Sequence, residues 1–354
     1  MRIMVLPCDG IGPEITEATM QVLKAADQKY GLGLEYTYED AGFDSLEKHG
    51  ITIRQETLEQ ARQFDGILLG PQSHMDYPPR EQGGVNVSAG FRVGLDLYAN
   101  IRPARTRPSV PCRGGDMDLV IMREATEGFY PDRNMHQGIG EFMPTEDLAM
   151  SVRKITAKAC ERIARQAFLS AAQRRKKVTA VHKANNFLMT DGLFMREVRK
   201  VAVEFPDIEL TDVIVDAMAA HLVRDPGQFD VIVTTNFYAD ILSDLASELS
   251  GGLGLAGSVN ANAETGLVCA QAQHGSAPDI QGQNIANPTS LILSAGMMLA
   301  WLGEQREDVK LRQAGNAINT AVDAVLDQAG KRTRDLGGTT NTDTFGEHIA
   351  AALA

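Results

Sequence analysis

The chain has 354 residues, 44% of them apolar, with 34 basic against 46 acidic side chains and a formal net charge of −12. That length and apolar content suffice for a large core in about two domains, which excludes a disordered chain. The acidic balance and the lack of a basic face argue against a nucleic-acid partner.

In chain order, the opening MRIMVL reads as a strand. It has no apolar h-region or cleavage site, so no secretory route is expected. Pro13 then stands in the first turn of a helix that puts Ile15, Ala18, Val22 and Ala26 on one face. Residues 34–39 alternate apolar and polar side chains as a second strand, and 66–70 (GILLG) and 118–122 read as short buried strands. Residues 151–170 carry Ile155, Ala159, Ile163 and Ala167 at helical spacing, with a basic face that reads as solvated surface. The basic run 174–177 reads as a solvated helix end before the strand 178–182. Lys183 ends that strand, and Asp216 ends another at 213–215; charged residues in such places face a ligand crevice or simply terminate the strand. The β-branched run 231–235 (VIVTT) is a strand buried on both faces, and Asn236 can cap a helix to about Leu249. The longest apolar segment, 291–302, is interrupted by Ser294 and Gly296 and is too short for ~30 Å of hydrocarbon, so it reads as a core helix and no membrane partner is expected. Alternating strands and helices point to an α/β architecture. Cys8, Cys112, Cys160 and Cys269 are scattered without a C-x-x-C pair, which fits reduced structural thiols and a cytoplasmic location.

Residues 236–258, NFYADILSDLASELSGGLGLAGS, carry the strongest chemical signal. Asp240 and Asp244 stand one helical turn apart, at roughly 5–6 Å between Cβ atoms, a spacing at which two carboxylates can hold one hard divalent cation. The competing reading is that acids in the first turns of a helix favour its positive end. Gly252, Gly254 and Gly257 satisfy G-x-G-x-x-G, but they follow a helix rather than a strand, and a Rossmann site is rejected there.

The block N-x-x-x-D-I-L-S-D-L-A-x-x-x-x-G-G-L-G resembles the signature of the β-decarboxylating dehydrogenases, which include isocitrate, homoisocitrate, 3-isopropylmalate, D-malate and tartrate dehydrogenases. Further matches are D-G-I-G-P-E-I at residues 9–15, L-Y-A-N-I-R-P at 97–103, R-E-A-T-E-G-F-Y at 123–130, H-K-A-N at 182–185, H-G-S-A-P-D-I at 274–280 and D-L-G-G at 335–338. The resemblance implies the isocitrate/isopropylmalate dehydrogenase-like α/β fold, two domains around a central sheet. It assigns residues 1–97 and 252–354 to an NAD-binding first domain, and 98–251 to a second domain with metal and substrate residues and the dimer interface. Residues 131–144 are then either part of an arm exchanged between subunits or a mobile surface excursion.

The same resemblance implies roles. Asp216, Asp240 and Asp244 hold Mg²⁺ or Mn²⁺, Lys183 is the base and Tyr130 the acid, with Lys183 and Asp216 lent by the partner in a homodimer with shared sites. Arg92, Arg102 and Arg123 stand where relatives bind a malate, a task suited to forked, permanently charged donors. Ile11, His274, Gly275, Ser276, Ala277, Asp279, Ile280 and Asn287 match the cofactor loops; a carboxylate at Asp279 accepts ribose hydroxyls and repels a 2′-phosphate, favouring NAD over NADP. Gln271, Ala272 and Gln273 depart from the family's E-P-V. Asn86 and Ser88 resemble the hydrogen-bonding residues of isocitrate dehydrogenases, and Arg80 lies near an arginine that homoisocitrate enzymes use for a distal carboxylate. The expected reaction is NAD- and metal-dependent oxidative decarboxylation of a small hydroxy acid, a (2R)-malate with a polar or carboxylate C3 group. The alternatives are 3-isopropylmalate dehydrogenase, D-malate or tartrate dehydrogenase, and a non-catalytic regulatory subunit of a heteromeric isocitrate dehydrogenase.

Overall fold

The computed structural model describes residues 1–353. It divides into two compact units, one formed by Met1–Leu97, Arg107–Pro111 and the chain from Gly252 on, the other by Tyr98–Thr106 and Cys112–Gly251.

The first unit opens with β1 (Arg2–Leu6), whose side chains from Ile3 to Leu6 are fully buried, as a parallel strand covered on both faces requires. α1 (Gly12–Tyr30) buries Ile15, Ala18, Val22 and Ala26 along one stripe and ends at Gly31 in the left-handed conformation, φ 64°. β2 (Glu35–Tyr38) is shorter than the alternation at 34–39 suggests, because only Glu35 to Tyr38 pair with β1. α2 (Phe43–His49), α3 (Gln55–Ala61), β3 (Gly66–Leu69) and α4 (Val87–Gly94) follow.

In the second unit β4 (Ala99–Arg105) runs antiparallel to β5 (Asp118–Glu124), and β6 (Glu141–Thr145) with β7 (Leu148–Ser151) forms a separate, fully exposed hairpin. α5 (Ala157–Ala172) begins later than its periodicity predicts. Thr156 takes the N-cap, its hydroxyl accepting the Ala159 N–H at 3.3 Å; before it Ser151 ends the hairpin strand and Lys154 makes an isolated bridge to Gly128. β8 (Lys177–His182), α6 (Thr190–Ala202), β9 (Glu209–Ile214), α7 (Val215–Arg224), β10 (Val231–Thr234) and α8 (Asn236–Ser250) complete the unit. Its sheet order is β4-β5-β10-β8-β9, parallel from β5 onward. Alternate side chains feed two apolar layers: Val231 and Val233 join Phe168 of α5 and Phe194 of α6, whereas Ile232 joins Met218 of α7 and Leu242 of α8. The basic run before β8 is not merely solvated, since Arg174 Nε donates to the buried Asp230 at 2.8 Å and Nη2 to Asp118 Oδ1 at 2.9 Å.

The chain returns to the first unit through β11 (Val259–Asn262) and β12 (Leu267–Gln271), giving the order β2-β1-β3-β12-β11, and continues as α9 (Thr289–Gln305), α10 (Val309–Leu326) and α11 (Thr342–Leu353). α9 is buried along nearly its whole length, and no helix among the described residues is long and apolar enough to cross a membrane. All four cysteines are free, and three are buried.

Candidate active site

Loops at the carboxyl ends of parallel strands are where α/β proteins place ligand-binding groups. In the second unit this edge holds Arg123 near the end of β5, Lys183 directly after β8, Asp216 just beyond β9, and Thr235 leading from β10 into α8. The register sets Arg123 beside Thr234 on one side and Asn100 on the other.

Arg123 is 1% exposed and divides its guanidinium among three partners. Nε donates to Asn236 Oδ1 at 2.8 Å, Nη2 donates to the Tyr130 hydroxyl at 3.1 Å, and Nη1 pairs with Asp240 Oδ1. The Tyr130 hydroxyl donates to Asp240 Oδ2 at 2.6 Å, closing a ring of contacts. Arg102 is likewise buried: Nε donates to Asn100 Oδ1 at 2.7 Å, Nη1 to Ser243 Oγ at 2.7 Å, and Nη1 lies 3.4 Å from Asp240 and 3.3 Å from Asp244. Burial, then the neighbouring Arg123 charge, lowers Arg102 to about 10, so it remains a cation at neutral pH. Two buried guanidiniums carry a desolvation cost that opposed carboxylates must offset. Asp240 and Asp244 do this from one face of α8 while staying 39% and 51% exposed.

Asn236 does not cap α8 as expected. Thr235 occupies the N-cap without a side-chain bond, and Asn236 is the first helical residue, its Oδ1 committed to Arg123 and its Nδ2 donating to the Glu127 carbonyl at 2.7 Å. A buried charged donor outcompetes a neutral helix N–H for that oxygen. Gly128 lets the Tyr130 segment pass this point. It has φ 108°, and a Cβ there would meet Asn236 Cβ at 2.9 Å.

Asp216 does not end a strand, because β9 stops at Ile214 and Asp216 lies in the first turn of α7. Its carboxylate pairs with the Lys183 ammonium, and that hydrogen bond holds its carboxyl below the ordinary range. It does not join Asp240 and Asp244: among the described residues no three His, Cys, Asp or Glu side chains gather where they could hold a metal. Asp240 and Asp244 themselves offer hard oxygen donors, partly exposed and one turn apart, a pair chemically suited to Mg²⁺ or Mn²⁺.

In the first unit Gly10 (φ 57°) passes so close to the 274–287 loop that a Cβ there would meet Ser276 O at 2.1 Å, and Ile11 N–H donates to that same oxygen at 2.8 Å. Ser276 Oγ lies 2.7 Å from Ser73 Oγ, and Ala277 is left-handed at φ 39°. His274 Nδ1 is 2.8 Å from Gly275 O, its Nε2 is buried without a partner, and burial pushes the imidazole pKa below its usual value. A neutral imidazole with an unused ring nitrogen fits a donor such as an adenine amino group. Asn287 Nδ2 donates to Asp335 Oδ2 at 2.9 Å, tying in the D-L-G-G segment, while Asp279 and Gly275 are exposed and Ile280 half-buried. Asn86 Oδ1 caps α4 by accepting the Ala89 N–H at 2.9 Å, which engages its oxygen and not its amide NH₂, whereas the Ser88 hydroxyl already donates to Gln271 Oε1 at 2.9 Å. Arg92 Nε donates to Asn260 Oδ1 at 2.9 Å, and Arg80 is exposed in a short 3-10 turn.

Sequence reasoning missed Asn100, Ser243 and Asn236 as the residues that orient the arginines. A signal existed for two of them, since Asn236 and Ser243 lie on the helical face of Asp240 and Asp244.

Residues 2–349 match the family model for isocitrate/isopropylmalate dehydrogenase. The chain is 41% identical over 353 residues to the 3-isopropylmalate dehydrogenase of Archaeoglobus fulgidus, covering 99% of each. It is 43% identical over 354 residues to the isocitrate/homoisocitrate dehydrogenase of Thermus thermophilus, covering 99% of this chain and 98% of that one. The crystal structure of isocitrate dehydrogenase from Methylococcus capsulatus superposes with a TM-score of 0.87 at 38% identity, covering 99% of both chains. The chain therefore belongs to the isocitrate/isopropylmalate dehydrogenase family, dehydrogenases that act on hydroxy acids with decarboxylation.

Proposed function

We propose that the protein catalyses NAD-dependent, divalent-metal-dependent oxidative decarboxylation of a (2R)-malate whose C3 substituent is polar or carries a carboxylate. The observation that carries this reading is the buried Arg102 and Arg123 pair set against Tyr130, Asp240 and Asp244. Such a site presents fixed positive charge to a dianion and exposed carboxylates to a cation. Arg102 and Arg123, with Arg92 as a third by resemblance, hold the substrate carboxylates; each already has a side-chain amide on its Nε that fixes the fork. Asp240, Asp244 and the Asp216 of a second copy would hold the divalent cation, which would supply Lewis-acid charge beside the substrate's C2 oxygen, and NAD would supply the hydride acceptor. Lys183 takes the hydroxyl proton, and Tyr130 returns one to C3 after CO₂ leaves.

A homodimer with shared sites is part of this proposal. Exposed Phe142, Met143, Leu148 and Met150 on the hairpin, and Leu188 and Met189 after β8, are the apolar surface that a second copy would cover. Ile11, His274 to Ala277, Asp279, Ile280 and Asn287 form the proposed NAD site, and the free thiols suit a cytoplasmic location. Together Tyr130, Lys183, Asp216, Asp240 and Asp244 argue against a non-catalytic subunit.

Asn86, Ser88 and Arg80 support a polar C3 group, whereas the Archaeoglobus relative favours 3-isopropylmalate as the second reading. A panel of isocitrate, homoisocitrate, D-malate, tartrate and 3-isopropylmalate, followed at the NADH band with Mn²⁺, tests this. The highest kcat/KM with 3-isopropylmalate refutes the polar assignment.

A further inference from the structure

Asp191, in the first turn of α6, is fully buried and surrounded by donors. Its Oδ2 accepts the backbone N–H of Lys183 at 2.6 Å and the Tyr238 hydroxyl at 3.3 Å, and its Oδ1 pairs with Arg153 Nη1 at 2.5 Å. Arg153 is itself buried, with its guanidinium carbon 5.1, 5.5 and 5.0 Å from the ring centres of Phe129, Phe187 and Tyr238. Its Nη2 donates to Thr235 Oγ1 at 2.8 Å and its Nη1 to Thr190 Oγ1 at 3.3 Å.

A buried ion pair of this kind is poor evidence for stability, since desolvation consumes most of the Coulombic gain. What it does is fix geometry. Lys183 leaves β8 into a segment without regular structure, in which Phe187, Leu188 and Met189 are exposed. The bond to Asp191 ties the backbone of Lys183 itself to the interior. A displaced Cα would swing the whole lysine side chain, and displacement of a reacting group by about 1 Å can cost 10²-fold in rate.

We propose that Asp191, anchored by Arg153, is the positioning residue for Lys183. The proposal rests on the reading of Lys183 as the base. It adds that the reach of the ammonium is set by a carboxylate that never touches the substrate.

The test is a double-mutant cycle on kcat with the best malate of the panel. Asp191→Asn must turn an amide NH₂ either toward the Lys183 N–H and Tyr238 hydroxyl that donate to Oδ2 or toward the Arg153 cation that pairs with Oδ1. It is expected to lower kcat roughly 10- to 100-fold while the KM for NAD stays within about twofold. In a Lys183→Ala background it should cost nothing further, within about twofold, because the group it positions is gone. Independent, multiplicative losses overturn the proposal, as does an unchanged kcat in Asp191→Asn. If Asp191→Asn does not fold, Asp191→Glu keeps the charge for Arg153 and moves the carboxylate by one carbon; the same non-additivity with Lys183→Ala is required of it. A fully active Lys183→Ala would refute the base assignment itself, an outcome distinct from the failure of the cycle.

Discussion

Replacing Arg123 with Lys keeps the charge and removes the fork. The guanidinium serves Asn236 Oδ1 at 2.8 Å, the Tyr130 hydroxyl at 3.1 Å and Asp240 at once, and one ammonium on a shorter reach cannot serve three acceptors in different directions. The Asp240 contact is the one a lysine keeps, since the carboxylate attracts the ammonium, although Arg102 Nη1 already stands 3.4 Å away. Asn236, 1% exposed, is then left with a buried carbonyl oxygen and no donor, at about 1–3 kcal/mol. Loss of the bond to Tyr130 adds about 1 kcal/mol, for a total of roughly 2–4 kcal/mol. For a domain of this size each kcal/mol moves Tm by about 2–4 °C, so calorimetry on metal-free protein should show a fall of roughly 4–16 °C. The rate should fall separately, roughly 10²-fold in kcat, because Tyr130 loses one of the groups that aim its hydroxyl. A variant with wild-type Tm and wild-type kcat would show that the three-way fork bears no weight in either role.

Asp244→Asn should leave the fold intact, abolish most metal-dependent turnover and remove the rise in Tm that Mn²⁺ produces; a Mn²⁺-induced rise equal to wild type takes Asp244 out of the metal set. Cofactor choice follows from Asp279: NAD should exceed NADP in kcat/KM by about tenfold or more, and equal values refute the ribose assignment. Glu127 supplies a pH test. Burial first, and Glu124 second, raise its carboxyl from 4.5 to about 7, so the folded state binds the proton more tightly than the unfolded one. Its stabilising contribution is thus full below the unfolded value of 4.5 and is lost as pH rises through about 7. Glu127→Gln should match wild-type Tm near pH 4, below the unfolded value of 4.5, and exceed it near pH 8, and a pH-independent difference between the two proteins contradicts this.

Local pattern was enough for most elements. The β-branched run before Asn236, the stripe of α1 and the buried α9 depend on side-chain period alone, which near neighbours in sequence enforce. Asp240 and Asp244 could be placed on one face for the same reason, since their spacing is a property of the helix. The motifs, too, were legible as strings, which is why the family could be recognised before any geometry was known. What the string could not say is which buried group takes which partner. Asn236 had the chemistry of a cap, and the register of β5 against β10 brought Arg123 to it instead. Asp216 had the look of a strand end, and the ladder with β8 stops at Ile214. Arg153 and Asp191 carried no local signal at all, because their meaning lies in rings and hydroxyls supplied by three separate segments, at Phe129, at Phe187 and Thr190, and at Thr235 and Tyr238. Secondary structure is decided over a few residues, by period and turn chemistry. The pairing of buried charges is decided by strand register and by the cost of leaving any one of them alone, and both exist only once the chain has folded.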